Sequence, residues 1–256
     1  MSSSSSCCLK SFAWEGTPRG RVDKLGALDC YIAGSENDDK RPAMGILFIH
    51  DLLGFTFPNT RILADHYAAE ADATVYVPDF FGGSAPLPFE PILRGRFHEV
   101  DLAGFLARNA RDIREPDILE AARLLRSRYA RVGAVGFCWG GWACFRLGAR
   151  EKPLVDCVSV GHPSLLTKRD IDEVAVPVQI LAPEHDPAYT PELKTHTFET
   201  LAKAEGGGVY FDYLHLPGVE HGCLVRGDPK KPGEREAMAR AKDAVVGWFR
   251  QFLHEN

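Results

Sequence analysis

Apolar residues along this chain recur in short runs of strand length, separated by stretches in which they return every three or four positions, and the two patterns alternate. That alternation predicts βαβ units on a mostly parallel sheet. Residues 27–33 read as an edge strand, 45–50 as a buried strand and 61–71 as the first crossover helix, with Asn59 or Thr60 near its cap. The next strand is 74–78. Between 79 and 116 the periodicity gives way to glycine, proline and phenylalanine around a short helix near 97–108, the pattern of a pocket-covering excursion that selects substrate. Beyond it the alternation resumes: helix 118–129, strand 131–136, helix 139–149, strands 155–160 and 177–181, helix 191–205, strand 209–216 and a long amphipathic helix 234–253. Short connections, with no linker or internal repeat, predict one domain over residues 13–256 behind a flexible Ser/Cys-rich tail at 1–12.

Composition narrows the partners. The 256 residues, 45% hydrophobic and 25% charged, suffice for one sizeable core. A formal net charge of −5 with no dense basic run argues against nucleic acid or an anionic membrane surface and leaves a small molecule as the expected partner of a monomer or homodimer. Cys7, Cys8, Cys30, Cys138, Cys144, Cys157 and Cys223 are odd in number and form no C-x-x-C pair, so neither a disulfide framework nor a zinc site is indicated. Reduced thiols in the cytoplasm are the simplest expectation. Residues 1–8 lack the basic and apolar segments of a signal peptide, and no later run approaches membrane-spanning length.

The candidate chemistry centres on Gly136-Phe137-Cys138-Trp139-Gly140, where an apolar strand runs into a turn with a thiol at its apex and a glycine two residues to either side. This is the G-x-nucleophile-x-G spacing of a strained strand-to-helix elbow, and a sulfur there sits at a helix N-terminus that favours thiolate. The plainer alternative is a buried, inert cysteine. After strand 177–181 the turn Ala182-Pro183-Glu184-His185-Asp186-Pro187 offers two carboxylates, with Asp186 the better candidate acid and Glu184 the fallback; either could instead cap the turn. After strand 209–216, Pro217-Gly218-Val219-Glu220-His221-Gly222 presents His221 as the candidate base, while His215 lies inside the strand. Cys138, Asp186 and His221 then follow the order nucleophile, acid, histidine. An imidazole can take the thiol proton, a carboxylate can fix its tautomer, and attack yields an acyl-thioester. The oxyanion needs preorganised donors: the Trp139 amide, and one from the loop His50-Asp51-Leu52-Leu53-Gly54.

These residues resemble the dienelactone hydrolase family of α/β-hydrolases, most closely its fungal and other eukaryotic members. The likeness spans nearly the whole chain. It rests on the elbow with Gly141, on Phe55-Thr56-Phe57-Pro58-Asn59-Thr60-Arg61 with Ala64-Asp65, on Val77-Pro78-Asp79-Phe80-Phe81-Gly82, on Gly161-His162-Pro163-Ser164, and on Glu220-His221-Gly222 with Arg226-Gly227. The resemblance implies an α/β-hydrolase fold, a mostly parallel central sheet flanked by helices on both faces, and a Cys/Asp/His hydrolase of a lactone or ester. It implies no cofactor, no metal, and Leu52 and Trp139 as the oxyanion-hole amides. Bacterial members carry a glutamate at the position of Asp51, where it holds the cysteine protonated at rest; Asp51, one methylene shorter, either takes a functional role or caps local amides. Arg226 looks like the family arginine that binds a substrate carboxylate, the alternative being a solvated loop arginine. A second such arginine is left open among Arg94, Arg96 and Arg111.

His162 follows strand 155–160 and either lines the strand-end crevice or is tied to local backbone, the second being favoured over direct catalysis. His50 reads as a positioning residue. Trp139, Phe80, Phe81 and Phe57 form either an apolar wall for substrate, with Phe81 as a contact, or core. The main expectation is hydrolysis of a lactone, enol-lactone or ester through an acyl-cysteine. The same constellation could cyclise, transfer an acyl group or cleave a carbon–carbon bond. A binding protein without chemistry is disfavoured because all three site members are present. Gly133, Gly136, Gly140 and Gly141 do not give the dinucleotide-binding spacing.

Overall fold

The central strands are continuous apolar runs because both of their faces are covered, which removes the polar alternation of a half-exposed sheet. A computed structural model of the protein describes residues 16–34, 44–82, 87–94, 96–202, 208–226, 228 and 230–254. The tail expected at 1–12, with Cys7 and Cys8, and Gly227 lie outside the described residues. The strands are β1 (Arg21–Leu25), β2 (Leu28–Ala33), β3 (Met44–Ile49), β4 (Thr74–Pro78), β5 (Arg131–Phe137), β6 (Cys157–Gly161), β7 (Val178–His185) and β8 (Phe211–Glu220). Every residue of β3, β4 and β6 is buried.

They form one eight-stranded sheet in the order β1-β2-β4-β3-β5-β6-β7-β8. β1 and β2 pair antiparallel, as do β2 and β4, and the other pairings are parallel. Segment 27–33 is therefore not the edge: β1 lies outside it. Four of the five β1 residues are exposed, so no hydrophobic alternation marks it in the sequence.

The helices are α1 (Pro58–Ala71), α2 (Phe89–Leu93), α3 (Leu102–Arg108), α4 (Arg111–Arg128), α5 (Gly141–Leu147), α6 (Lys168–Glu173), α7 (Pro191–Leu201), α8 (Cys223–Arg226) and α9 (Glu234–Phe249). They cover both faces of the sheet. A Cβ on Gly45 of β3 would strike Tyr129 at the end of α4, whereas one on Gly133 of β5, which points to the opposite face, would strike Phe249 of α9. Two expectations at helix starts are corrected. Neither Asn59 nor Thr60 caps α1: Pro58 occupies its first turn after Phe57, and Asn59 Nδ2 instead donates to the carbonyls of Val225 and Arg226, both at 2.9 Å. The excursion ends near 110 rather than 116, because α4 begins at Arg111 and carries Pro116 in its second turn. The helix expected at 139–149 is divided into a 3-10 turn, Cys138–Gly140, and α5.

Candidate active site

β5 leads directly into Cys138, whose φ of 50° is a left-handed conformation that costs a non-glycine residue about 1–3 kcal/mol. Its neighbours must be glycine for lack of room. A Cβ on Gly140 would lie 2.2 Å from the Ile49 carbonyl oxygen, and one on Gly136 would lie 2.4 Å from the Gly140 carbonyl oxygen. The strain is held by main-chain atoms that cannot move aside. Asp186 follows β7 and His221 follows β8, so all three residues stand at the carboxyl ends of parallel strands, where open α/β sheets bind ligands.

The side chains of this trio meet through a continuous set of contacts. His221 Nδ1 lies 2.8 Å from Asp186 Oδ1, which also accepts the amides of Ala188 at 2.9 Å and Tyr189 at 3.1 Å. Because a carboxylate only accepts, Nδ1 carries the proton and Nε2 faces the thiol side. There Ser164 Oγ stands 3.4 Å from His221 Nε2 and 3.4 Å from Cys138 Sγ. Ser164 belongs to a motif visible in the sequence, but a hydroxyl three residues past a strand carries no signal of this placement. Glu184 is not part of the set: it is exposed and accepts the Gly218 amide at 2.8 Å. His215 is also exposed.

Electrostatics separates the trio from its surroundings. Burial would lower the basicity of His221, but the hydrogen bond with Asp186 and the nearby Cys138 sulfur, together with the charges of both, overcome it and push its pKa up to about 10. Burial would raise Asp186, yet the bond to His221 holds that carboxyl below the ordinary value. Cys138 is the partly exposed thiol among the five described cysteines; the thiols of Cys144, Cys157 and Cys223 are buried and pushed up by desolvation.

His50 is fully buried and kept neutral by desolvation, with Nδ1 donating to the Asp51 carbonyl at 2.9 Å and Nε2 accepting the Phe80 amide at 3.2 Å. It fixes the loop after β3 as the sequence suggested. In that loop Asp51 Oδ1 accepts the Leu53 amide at 2.9 Å, and burial pushes its pKa up to about 6 against the pull of His221 and Arg226. Among the described residues the Leu52 amide donates to no protein acceptor.

His162 does not match the reading of a ring tied to local backbone. Its main-chain N–H donates to the Leu181 carbonyl at 3.0 Å, but the fully buried ring has no hydrogen-bond partner among the described residues on either nitrogen. The ring lies 4.8 Å from that of His221 and burial keeps it neutral. Arg226 is neither solvated nor wholly free: Nε and Nη2 both donate to the buried Glu234 carboxylate, at 3.1 and 2.5 Å. Arg111 grips Asp170 with two nitrogens and sits over the Trp142 ring, and Arg94 and Arg96 pair with the exposed Glu90. Phe81 packs edge-on against Trp139 and Phe105, each at 4.8 Å, while the Trp139 indole donates to the Asn109 carbonyl at 3.2 Å. Phe57, Phe80, Phe81 and Trp139 are all buried and belong to the core, with Phe81 packed on Trp139 of the elbow. No group of three His, Cys, Asp or Glu side chains among the described residues is arranged to hold a metal ion, and no described helix is long and apolar enough to cross a membrane.

A sheet in this order, with a thiol on a strained turn after its fifth strand, defines an α/β-hydrolase. The sequence profile of the dienelactone hydrolase family matches residues 28–253, and the chain belongs to that family. Among curated relatives it is 31% identical over 254 residues to Hydrolase pyvD of Aspergillus violaceofuscus, with 97% of each chain covered. It is 30% identical over 259 residues to Hydrolase tropI of Talaromyces stipitatus, with 98% of each covered. Among solved structures, a putative dienelactone hydrolase from Klebsiella pneumoniae superposes with a TM-score of 0.72 at 14% identity, covering 91% of this chain and 99% of the other. The protein is thus a hydrolase acting on ester or lactone bonds of a small molecule.

Proposed function

We propose that the protein hydrolyses a lactone, enol-lactone or carboxylic ester through Cys138, His221 and Asp186 by way of an acyl-cysteine. The observation that carries this reading is the unbroken set of contacts from Asp186 Oδ1 to His221, from His221 Nε2 to Ser164 Oγ, and from Ser164 Oγ to Cys138 Sγ. Asp186 fixes the imidazole so that Nε2 is the basic nitrogen, and the raised basicity of His221 suits it to take the thiol proton. Sulfur attacks the carbonyl carbon, and the tetrahedral oxyanion is met by the amides of Leu52 and Trp139. Imidazolium protonates the departing alkoxide, leaving a Cys138 thioester. Water then gives its proton to His221, attacks the thioester carbonyl, and frees the acid as the sulfur recovers its proton. In a lactone the alkoxide and acid remain one molecule.

Arg226 retains Nη1 outside its bonds to Glu234 and is the candidate for a carboxylate on the substrate, near Asp51. Phe81 and Trp139 stiffen the elbow from within. His162, ring to ring with His221, supports it as a neutral packing neighbour. The five described cysteines are free thiols, which fits a reducing cytoplasm.

The test is turnover of a panel of aryl esters and dienelactone-type lactones by the wild type, Cys138→Ala and His221→Ala. Both substitutions lower kcat/KM about 10,000-fold or more on any substrate that is cleaved. Turnover that survives loss of the thiol would move the chemistry elsewhere.

A further inference from the structure

Ser164 is the one side chain that touches both Cys138 Sγ and His221 Nε2 among the hydrogen bonds of the described residues, 3.4 Å from each. Its position is built. The Ser164 amide donates to the Cys138 carbonyl at 2.8 Å, tying it to the apex of the elbow. The preceding Pro163 packs so closely on Gly141 that a Cβ there would lie 2.6 Å from the proline Cβ. Leu165 has a φ of 58°, and its carbonyl accepts Arg111 Nη1 at 2.8 Å, while that same guanidinium is anchored on Asp170. Strand β6 lies between β5 and β7, so the turn that follows it falls between the elbow and the Asp186 turn.

A hydroxyl in that position has one proton to give and lone pairs to accept. With the thiol protonated, S–H donates to Oγ and Oγ–H donates to Nε2. With the proton moved, imidazolium N–H donates to Oγ and Oγ–H donates to the thiolate. Both states are satisfied with no heavy atom displaced. We propose that Ser164 is a catalytic residue whose hydroxyl carries the proton between Cys138 and His221. The Cys138 S–H bond breaks as Oγ gains that proton, and the original Ser164 O–H bond breaks as Nε2 gains the other. The net result is one proton from sulfur to nitrogen, with serine regenerated and its O–H turned to the thiolate. The proposal rests on the acyl-cysteine reading above and adds a fourth participant to it.

Two readouts on the full chain test it: the rate at which iodoacetamide alkylates Cys138 at pH 7, followed by peptide mass spectrometry, and the dependence of aryl-ester turnover on the deuterium fraction of the solvent. Both are measured on wild type, Ser164→Ala, Ser164→Thr and Cys138→Ala, with thermal melts to show that each folds. Loss of one hydrogen bond to a charged group slows alkylation about tenfold in Ser164→Ala, while Ser164→Thr, which keeps the hydroxyl, stays within about threefold of wild type. Turnover of the wild type curves with deuterium fraction because two protons move together, and that of Ser164→Ala is linear. Wild-type alkylation and unchanged curvature in Ser164→Ala would overturn the proposal, as would a threonine variant as slow as the alanine. Ester turnover retained by Cys138→Ala would instead bring down the parent reading, and the alkylation rates would still report on Ser164.

Discussion

The turns after β3 and after β7 set an aspartate in nearly the same local frame, and the two carboxyls differ in proton affinity. Asp51 Oδ1 accepts the amide two residues on, Leu53, at 2.9 Å; Asp186 Oδ1 accepts the amide two residues on, Ala188, at 2.9 Å. Both are buried. Desolvation pushes Asp51 up to about 6, whereas Asp186 stays below the ordinary carboxylate value despite desolvation. The difference lies in the partner: Asp186 has His221 Nδ1 at 2.8 Å, while His221 and Arg226 pull on Asp51 only through space and Arg226 is already bound to Glu234. An Asx-type turn places a carboxylate; a residue from a remote strand decides whether it is an anion.

The comparison breaks most visibly at Asp186. Asp186→Asn keeps the turn but removes the charge and lets the imidazole adopt the wrong tautomer, so kcat falls about 1,000- to 10,000-fold in steady-state hydrolysis. A variant within threefold of wild type would mean that the carboxylate does not orient His221.

Asp51→Asn tests the other turn through stability. The folded-state pKa of Asp51 lies near 6, above the ordinary 3.8, so the folded protein holds a proton that the unfolded chain releases as pH rises from about 4 to 6. The wild type therefore loses stability over that window, and the asparagine variant does not. Relative to wild type, Asp51→Asn gains on the order of 3 kcal/mol between pH 4 and pH 7 in urea titrations. A stability difference independent of pH would contradict the raised proton affinity.

The smallest effect sharpens the same contrast. Glu234→Gln leaves Arg226 without its carboxylate and destabilises the fold by about 2 kcal/mol. It also strengthens the pull of Arg226 on Asp51, so the stability change assigned to Asp51 moves to lower pH in this variant. An unmoved midpoint would show that the guanidinium is too far or too screened to act.

The parts of this site that follow strands were legible in the sequence, because an apolar run ending in glycine or proline marks both a strand and its exit. Cys138, Asp186 and His221 each sit at such an exit, and their chain order matched a known constellation. What stayed hidden depended on contacts across the fold. β1 is a charged hairpin partner whose pairing with β2 leaves no periodic trace. Asn59 looks like a cap but serves carbonyls 166 and 167 residues away. Pro116 reads as a breaker, yet α4 begins at Arg111 and runs through it. Ser164 and the Arg226–Glu234 pair are ordinary polar residues until the strands bring their partners to them.

The central claim is that the acyl group passes through sulfur. Acid quenching during turnover of an aryl ester, followed by mass spectrometry of the digested protein, tests it directly, with Asp186→Asn included to slow release of the thioester. The account predicts a mass increment equal to the acyl group on the peptide that contains Cys138, removed by neutral hydroxylamine and absent from Cys138→Ala. An acyl group found on a different residue, or undiminished turnover by Cys138→Ala, would contradict it.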